Sequence, residues 1–114
     1  MSIQAFLQQL SDAPTSINFE DTMAVIEQYY VFTPTTFMNG QVTNEAGENS
    51  GSCKIFSFAQ RQQLTPEQTL QCFGDFYRED VLKHPEASDH QNIRQFIQHG
   101  WNGIVFTSNA LTER

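Results

Sequence analysis

Eight polar or ionisable side chains, Tyr77, Arg78, Asp80, His84, Asp89, His90, Asn92 and Arg94, fall within one short stretch of the sequence. On a helix Asp80 and His84 are four apart and share a face, so the carboxylate could orient the imidazole for acid/base work. The same residue types also cap helices and form Arg-carboxylate pairs, and Asp89 or Ser88 reads equally as an N-cap. Cys53 follows Ser50-Gly51-Ser52 where a helix should begin. Backbone N–H groups and Lys54 would stabilise a thiolate there, whereas a buried Cys53 would be a small apolar filler, the role expected of Cys72 beside Phe73 and Phe76. Asn49-Ser50-Gly51-Ser52 resembles an anion cradle without the GxxxxGK[ST] order of a phosphate loop. His84 and His90 do not have zinc-ligand spacing, and His99 suits the negative end of a helix, so neither a metal nor a cofactor is expected. Trp101 could present an indole to a groove, but its apolar neighbours favour a place in the core.

The elements that would carry these groups follow from periodicity and punctuation. Ile3, Phe6, Leu7 and Leu10 give the stripe of a first helix, ended by Asp12-Ala13-Pro14. Asn18 can cap a second, with Glu20 and Asp21 in its first turn and Phe19, Met23, Ile26 and Tyr30 on one face, until Pro34 stops it. From Pro34 to Ser52 the chain reads as a loop, with Asn39-Gly40 as a turn and one short strand near Gln41 to Thr43. Loops of this length are uncommon without a role, and Phe37 and Met38 would anchor this one. Ser50 or Ser52 should cap a third helix that ends near Gln62 or Gln63. Thr65-Pro66-Glu67-Gln68 is a reciprocal capping signal for a fourth, with Leu70, Phe73, Tyr77 and Val81 on its face and Gly74 as a close contact or a bend. Ser88 to Gln91 repeats the signal before Ile93, Phe96 and Ile97, His99-Gly100 closes that helix, and residues 103 to 107 are the clearest strand.

The 114 residues suit one domain spanning 1–114, and ten Phe, three Tyr and one Trp can fill its core. A net charge of −7 argues against nucleic acid. No Lys or Arg precedes Lys54, so the acidity gathers in the first half, as a solvated face or as a docking surface for a basic partner. No apolar run reaches membrane-spanning length, and no basic n-region or cleavage site marks a cleaved export signal. Two cysteines outside any framework fit reduced thiols in a cytoplasm. Charge and the lack of a heptad seam predict a monomer or weak dimer.

The runs NEAGENSGSCKIFSFAQ (44–59), LTPEQTLQCFGDFYREDVLKHPEASDHQNIRQF (64–96) and GWNGIVF (100–106), with YVFTPTTFMNG at 30–40, resemble the HopJ type III effector family of bacterial proteins across nearly the whole chain. That resemblance implies an effector-like protein, with type III secretion as a property of the family's namesakes; it implies no reaction and no catalytic residue.

The expectation is therefore an α+β domain, predominantly helical, with about five helices and a small sheet, acting as a binding or interaction protein for a protein or small-molecule partner. The alternative is a small enzyme whose pocket lies between the 39–54 loop and the 78–94 segment and uses Cys53 or His84. Candidate binding residues are Asn39, Asn49, Ser52, Cys53, Arg78, Asp80, His84, His90, Asn92, Arg94 and Trp101. The 39–54 loop should pack on the 78–94 segment, with Asn49 and Arg94 energetically coupled.

Overall fold

The computed structural model describes residues 1–114 and shows a helix-dominated α+β domain. Helix α3 (Ser50–Gln62) runs through its centre. Cys53, Ile55, Phe56, Ser57, Phe58 and Ala59 are all buried, so this helix lacks a polar face at mid-length and every neighbour packs onto it. Phe56 is the hub, with ring centroids 5.5 Å from Phe73, 5.0 Å from Phe96 and 6.4 Å from Trp101. Truncating a buried phenyl ring of this kind costs about 3–5 kcal/mol.

Helix α1 (Ile3–Asp12) starts where the Ser2 hydroxyl accepts from the Ala5 N–H, and it buries Phe6 and Leu10. A 3₁₀ turn (Pro14–Ser16) leads to α2 (Phe19–Tyr29), whose Asn18 and Asp21 form a capping box. Thr65 and Gln68 do the same for α4 (Pro66–Gln71), with Pro66 at the first helical position as expected. Each box satisfies two N–H groups that a helix start otherwise leaves open.

Two expected caps are not formed. Neither Ser50 nor Ser52 caps α3: Asn49 holds that position with φ +49 and makes no side-chain cap bond. Similarly, His90, at φ +51, precedes α5 (Gln91–His99), where Ser88 or Asp89 was expected to cap. Both starts place a non-glycine residue in the left-handed region, which sequence patterns assign to helix ends rather than beginnings.

The expected continuous helix over 66–81 is broken. At Gly74 the chain turns to φ +63, and a Cβ there would lie 2.7 Å from the Phe19 N, so bend and close contact are one feature. Beyond it Phe76–Val81 is π-helical, closed by Leu82 N–H to Tyr77 carbonyl at 2.9 Å. Leu70, Phe73, Tyr77 and Val81 are nonetheless all buried, as their spacing predicts.

The sheet content exceeds the sequence expectation. Strand β1 (Tyr30–Phe32) pairs antiparallel with β5 (Leu111–Glu113). A second sheet has the order β3-β2-β4, from Val42–Asn44, Phe37–Asn39 and Ile104–Phe106, with Phe37 opposite both Asn44 and Phe106. The expected strands near 42 and 104 are present. The second helix was expected to run to Pro34 but stops at Tyr29, because pairing with β5 draws Tyr30–Phe32 into β1; β2 and β5 were not anticipated. Gly40, at φ +58, turns β2 into β3, and a Cβ on it would meet the His99 ring at 2.4 Å.

Candidate functional site

The 39–54 segment does meet the 78–94 segment, and the contact is a buried asparagine network. Asn92, in the first turn of α5, accepts from Asn44 Nδ2 at 3.1 Å and donates to Asn44 Oδ1 at 2.9 Å. Asn39 Nδ2 donates to the Asn92 carbonyl oxygen at 2.8 Å and to Asn92 Oδ1 at 3.0 Å. Asn49 Nδ2 reaches Asn44 Oδ1 at 2.7 Å, fastening the turn before α3 to the same group. Buried amides of this kind are costly unless mutually satisfied, and here they lock the β2-β3 hairpin onto α5. Asn44, the hub, lies outside the sequence-derived candidates; its position opposite Phe37, on the inward face of the strand, was the available signal. Asn39 Oδ1 is the one buried amide oxygen of the set without a partner.

This packing fills the place where a pocket was expected. None of the four surface clefts includes a residue of 39–54. Cys53 is 1% exposed, its Sγ facing the Thr35 carbonyl at 3.6 Å, and burial pushes its thiol up against the smaller opposing effects of that contact and of Lys54. Of the two alternatives for Cys53, this burial favours the small apolar filler: desolvation outweighs the helix start and the lysine. Cys72 is likewise a free, buried thiol, pushed up to about 12 by burial. Ser52 is half-buried in the first turn of α3.

The polar cluster of 77–94 separates into local bonds. Arg78 donates to the Pro14, Ile17 and Gln71 carbonyls and to Gln71 Oε1 at 2.6 Å, tying the turn after α1 to the end of α4. Arg94 bonds Asp89 at 2.8 Å and the Asp89 and Pro85 carbonyls, and it holds the Asp89 carboxyl below the usual carboxylate range. Asp80 does not pair with His84. The π-helical winding destroys the four-residue register, and the Asp80 carboxylate instead meets His90 Nε2 at 3.1 Å. His84 is exposed, and its imidazole has neither a hydrogen-bond nor an ion-pair partner. Trp101 is half-buried: it packs against Phe56 and Phe96, donates to the Leu64 carbonyl at 3.0 Å, and also lines a cleft of about 330 Å³ with Ala59, Gln60, Gln63 and Leu64. No three His, Cys, Asp or Glu side chains converge in ligand geometry.

Beside these structural bonds lie two apolar patches, separated by His90, Asp89 and Arg94. Phe76 packs edge-on to Phe19 at 5.1 Å and against His90 at 5.2 Å while remaining 39% exposed. Phe19, Phe76, Asn18, Glu20 and Asp75 line a cleft of about 210 Å³. On the far side of His90, Asp89 and Arg94, a groove of about 280 Å³ is lined by Val81, Leu82, Pro85, Arg94 and Ile97. Leu82 is 53% and Ile97 48% exposed. Sequence reasoning passed over Phe76 and Leu82; their signal was that both lie off the buried face set by Leu70, Phe73, Tyr77 and Val81.

These features define a small helix-rich α+β domain in which most polar groupings hold elements together and the unsatisfied surface is apolar. The chain belongs to the HopJ type III effector protein family, whose model matches residues 3–111. The crystal structure of VPA0580, a protein of unknown function, is similar at 57% identity and a TM-score of 0.98, over 100% of this chain and 95% of that one. No curated protein matches the chain. No helix is long and apolar enough to cross a membrane.

Proposed function

We propose that this chain is a protein-interaction domain that binds through the face running from the π-helical segment to α5. The observation that carries this reading is the gathering of exposed apolar side chains. Of the six large hydrophobic residues that remain exposed, Phe76 lies against His90, and Leu82 and Ile97 lie in the neighbouring groove that Arg94 also lines. Exposed apolar patches rimmed by polar residues mark interaction sites, and a π-helical turn is a recurrent feature of functional segments. The burial of Cys53 and the isolation of His84 support binding over the enzymatic alternative.

A photo-crosslinking residue placed at position 82 or 97 in the cell of origin should give discrete protein adducts, while one at the exposed Val31 of β1 should give none. Equal adducts at all three positions, or none at any, would overturn the assignment. An effector role, which the family's description names, suits such a domain; it predicts export of the tagged chain only when a type III apparatus is functional.

A further inference from the structure

The same face also indicates the chemistry of its partner. Its two parts differ: the Val81-Leu82-Pro85-Ile97 groove is mainly apolar, with Arg94 along it engaged by Asp89, whereas the Phe19-Phe76 cleft is lined in part by Glu20 and Asp75. Neither carboxylate takes part in an ion pair or a side-chain hydrogen bond. The basic groups nearby are already engaged. Arg78 is turned toward backbone carbonyls, Arg94 is held by Asp89, and Lys83 bonds Glu79 at 2.7 Å while feeling Asp75 only as a secondary charge. Asp80 is matched by His90 at 3.1 Å, which leaves Glu20 and Asp75 as the carboxylates without a bonded counter-charge beside an exposed aromatic ring.

Resting on the reading of this face as an interaction surface, we propose that its occupant is a basic amphipathic segment of a partner protein. A guanidinium or ammonium group of that segment sits at the Phe76 ring between Glu20 and Asp75, and its apolar side chains enter the Leu82-Ile97 groove. An aromatic ring attracts a cation through its quadrupole, and adjoining carboxylates add Coulombic attraction. An acidic segment would meet only repulsion there, so charge selects the partner while the apolar groove contributes affinity. The chain's net charge of −7 acts in the same direction at longer range.

The test uses three synthetic amphipathic peptides with identical apolar positions and Arg, Gln or Glu at the flanking ones, titrated into the isotope-labelled full chain by NMR. The Arg peptide should shift the amides of Phe76, Leu82, His90 and Ile97 and bind at least about ten-fold more tightly than the Glu peptide, with the gap narrowing in high salt. The double variant Glu20→Gln/Asp75→Asn, whose sites are exposed and whose fold is checked by thermal melting, should weaken the Arg peptide about five-fold and leave the Gln peptide unchanged. Equal binding of the Arg and Glu peptides, or an unaffected double variant, would overturn the basic partner and leave the interaction face standing. If no peptide moves these amides, the face itself fails. Self-association of the chain through these residues, or their protection by phospholipid vesicles, would also overturn the proposal by naming a different occupant.

Discussion

Cys53 shows how burial decides the chemistry of a side chain. The helix start and Lys54 favour a thiolate in its sequence neighbourhood, yet the residue belongs to the buried apolar core, and desolvation dominates. Both thiols titrate above the ordinary cysteine value in the folded chain, and Cys72 is pushed up to about 12. The unfolded chain therefore releases these protons first. The stability the thiols contribute is intact below about pH 8.5, the unfolded value, and is lost as pH rises through their higher folded values. In a thiol-reagent assay near pH 8, neither cysteine should react until the protein unfolds, and denaturant midpoints should fall between pH 9 and 11. A Cys53→Ser/Cys72→Ser variant should show less of that alkaline fall. Rapid native labelling of Cys53 would contradict the assignment.

Between elements, the asparagine network takes over the coupling first expected of Asn49 and Arg94. Asn44 and Asn92 exchange two hydrogen bonds, so removing either amide deprives the other's buried Nδ2 group of its main acceptor. Each of Asn44→Ala and Asn92→Ala should cost about 2 kcal/mol, and the double variant should be non-additive by about 1–2 kcal/mol. Asn49 bonds Asn44 while Arg94 bonds Asp89 and two backbone carbonyls, so these two share no partner. Asn49→Ala and Arg94→Ala should therefore add within about 0.5 kcal/mol, even though their segments touch. Urea denaturation of the single and double variants checks both statements.

For the molecule as a whole, the Cα radius of gyration is 13.2 Å, close to the value of about 13 Å expected for a compact single domain of this length. One cluster of 23 buried residues joins every helix to both sheets, which fits a single domain. With like charges repelling and the apolar face divided between a cleft and a groove, the free chain should remain a monomer. Small-angle scattering at low salt should give a radius of gyration of about 14 Å, hydration included, that does not change with concentration. A value above about 17 Å would mean that a second copy covers the face.

The helix-rich class, the extent of α1, the start of α2, the end of α3, the Asn18 and Thr65 caps and the buried Leu70-Phe73-Tyr77-Val81 stripe were all legible in the sequence. Each depends on residues within one or two turns of one another, where backbone geometry and side-chain spacing suffice. So was the meeting of the 39–54 and 78–94 segments, since a loop rich in Asn and Ser needs polar partners when it is buried. What tertiary structure alone decided depends on distant neighbours. Phe19 and Asn18 crowd Gly74 and break the fourth helix, the π-helical turn that follows passes Asp80 from His84 to His90, and core packing silences Cys53. Three-residue strands such as β1 and β5 exist because the folding of the chain between them, residues 33–110, brings Phe32 and Leu111 into register. The exposed face followed the same logic: periodicity shows which side of a helix is apolar enough to bury, but only the packed molecule shows that Phe76, Leu82 and Ile97 are left over.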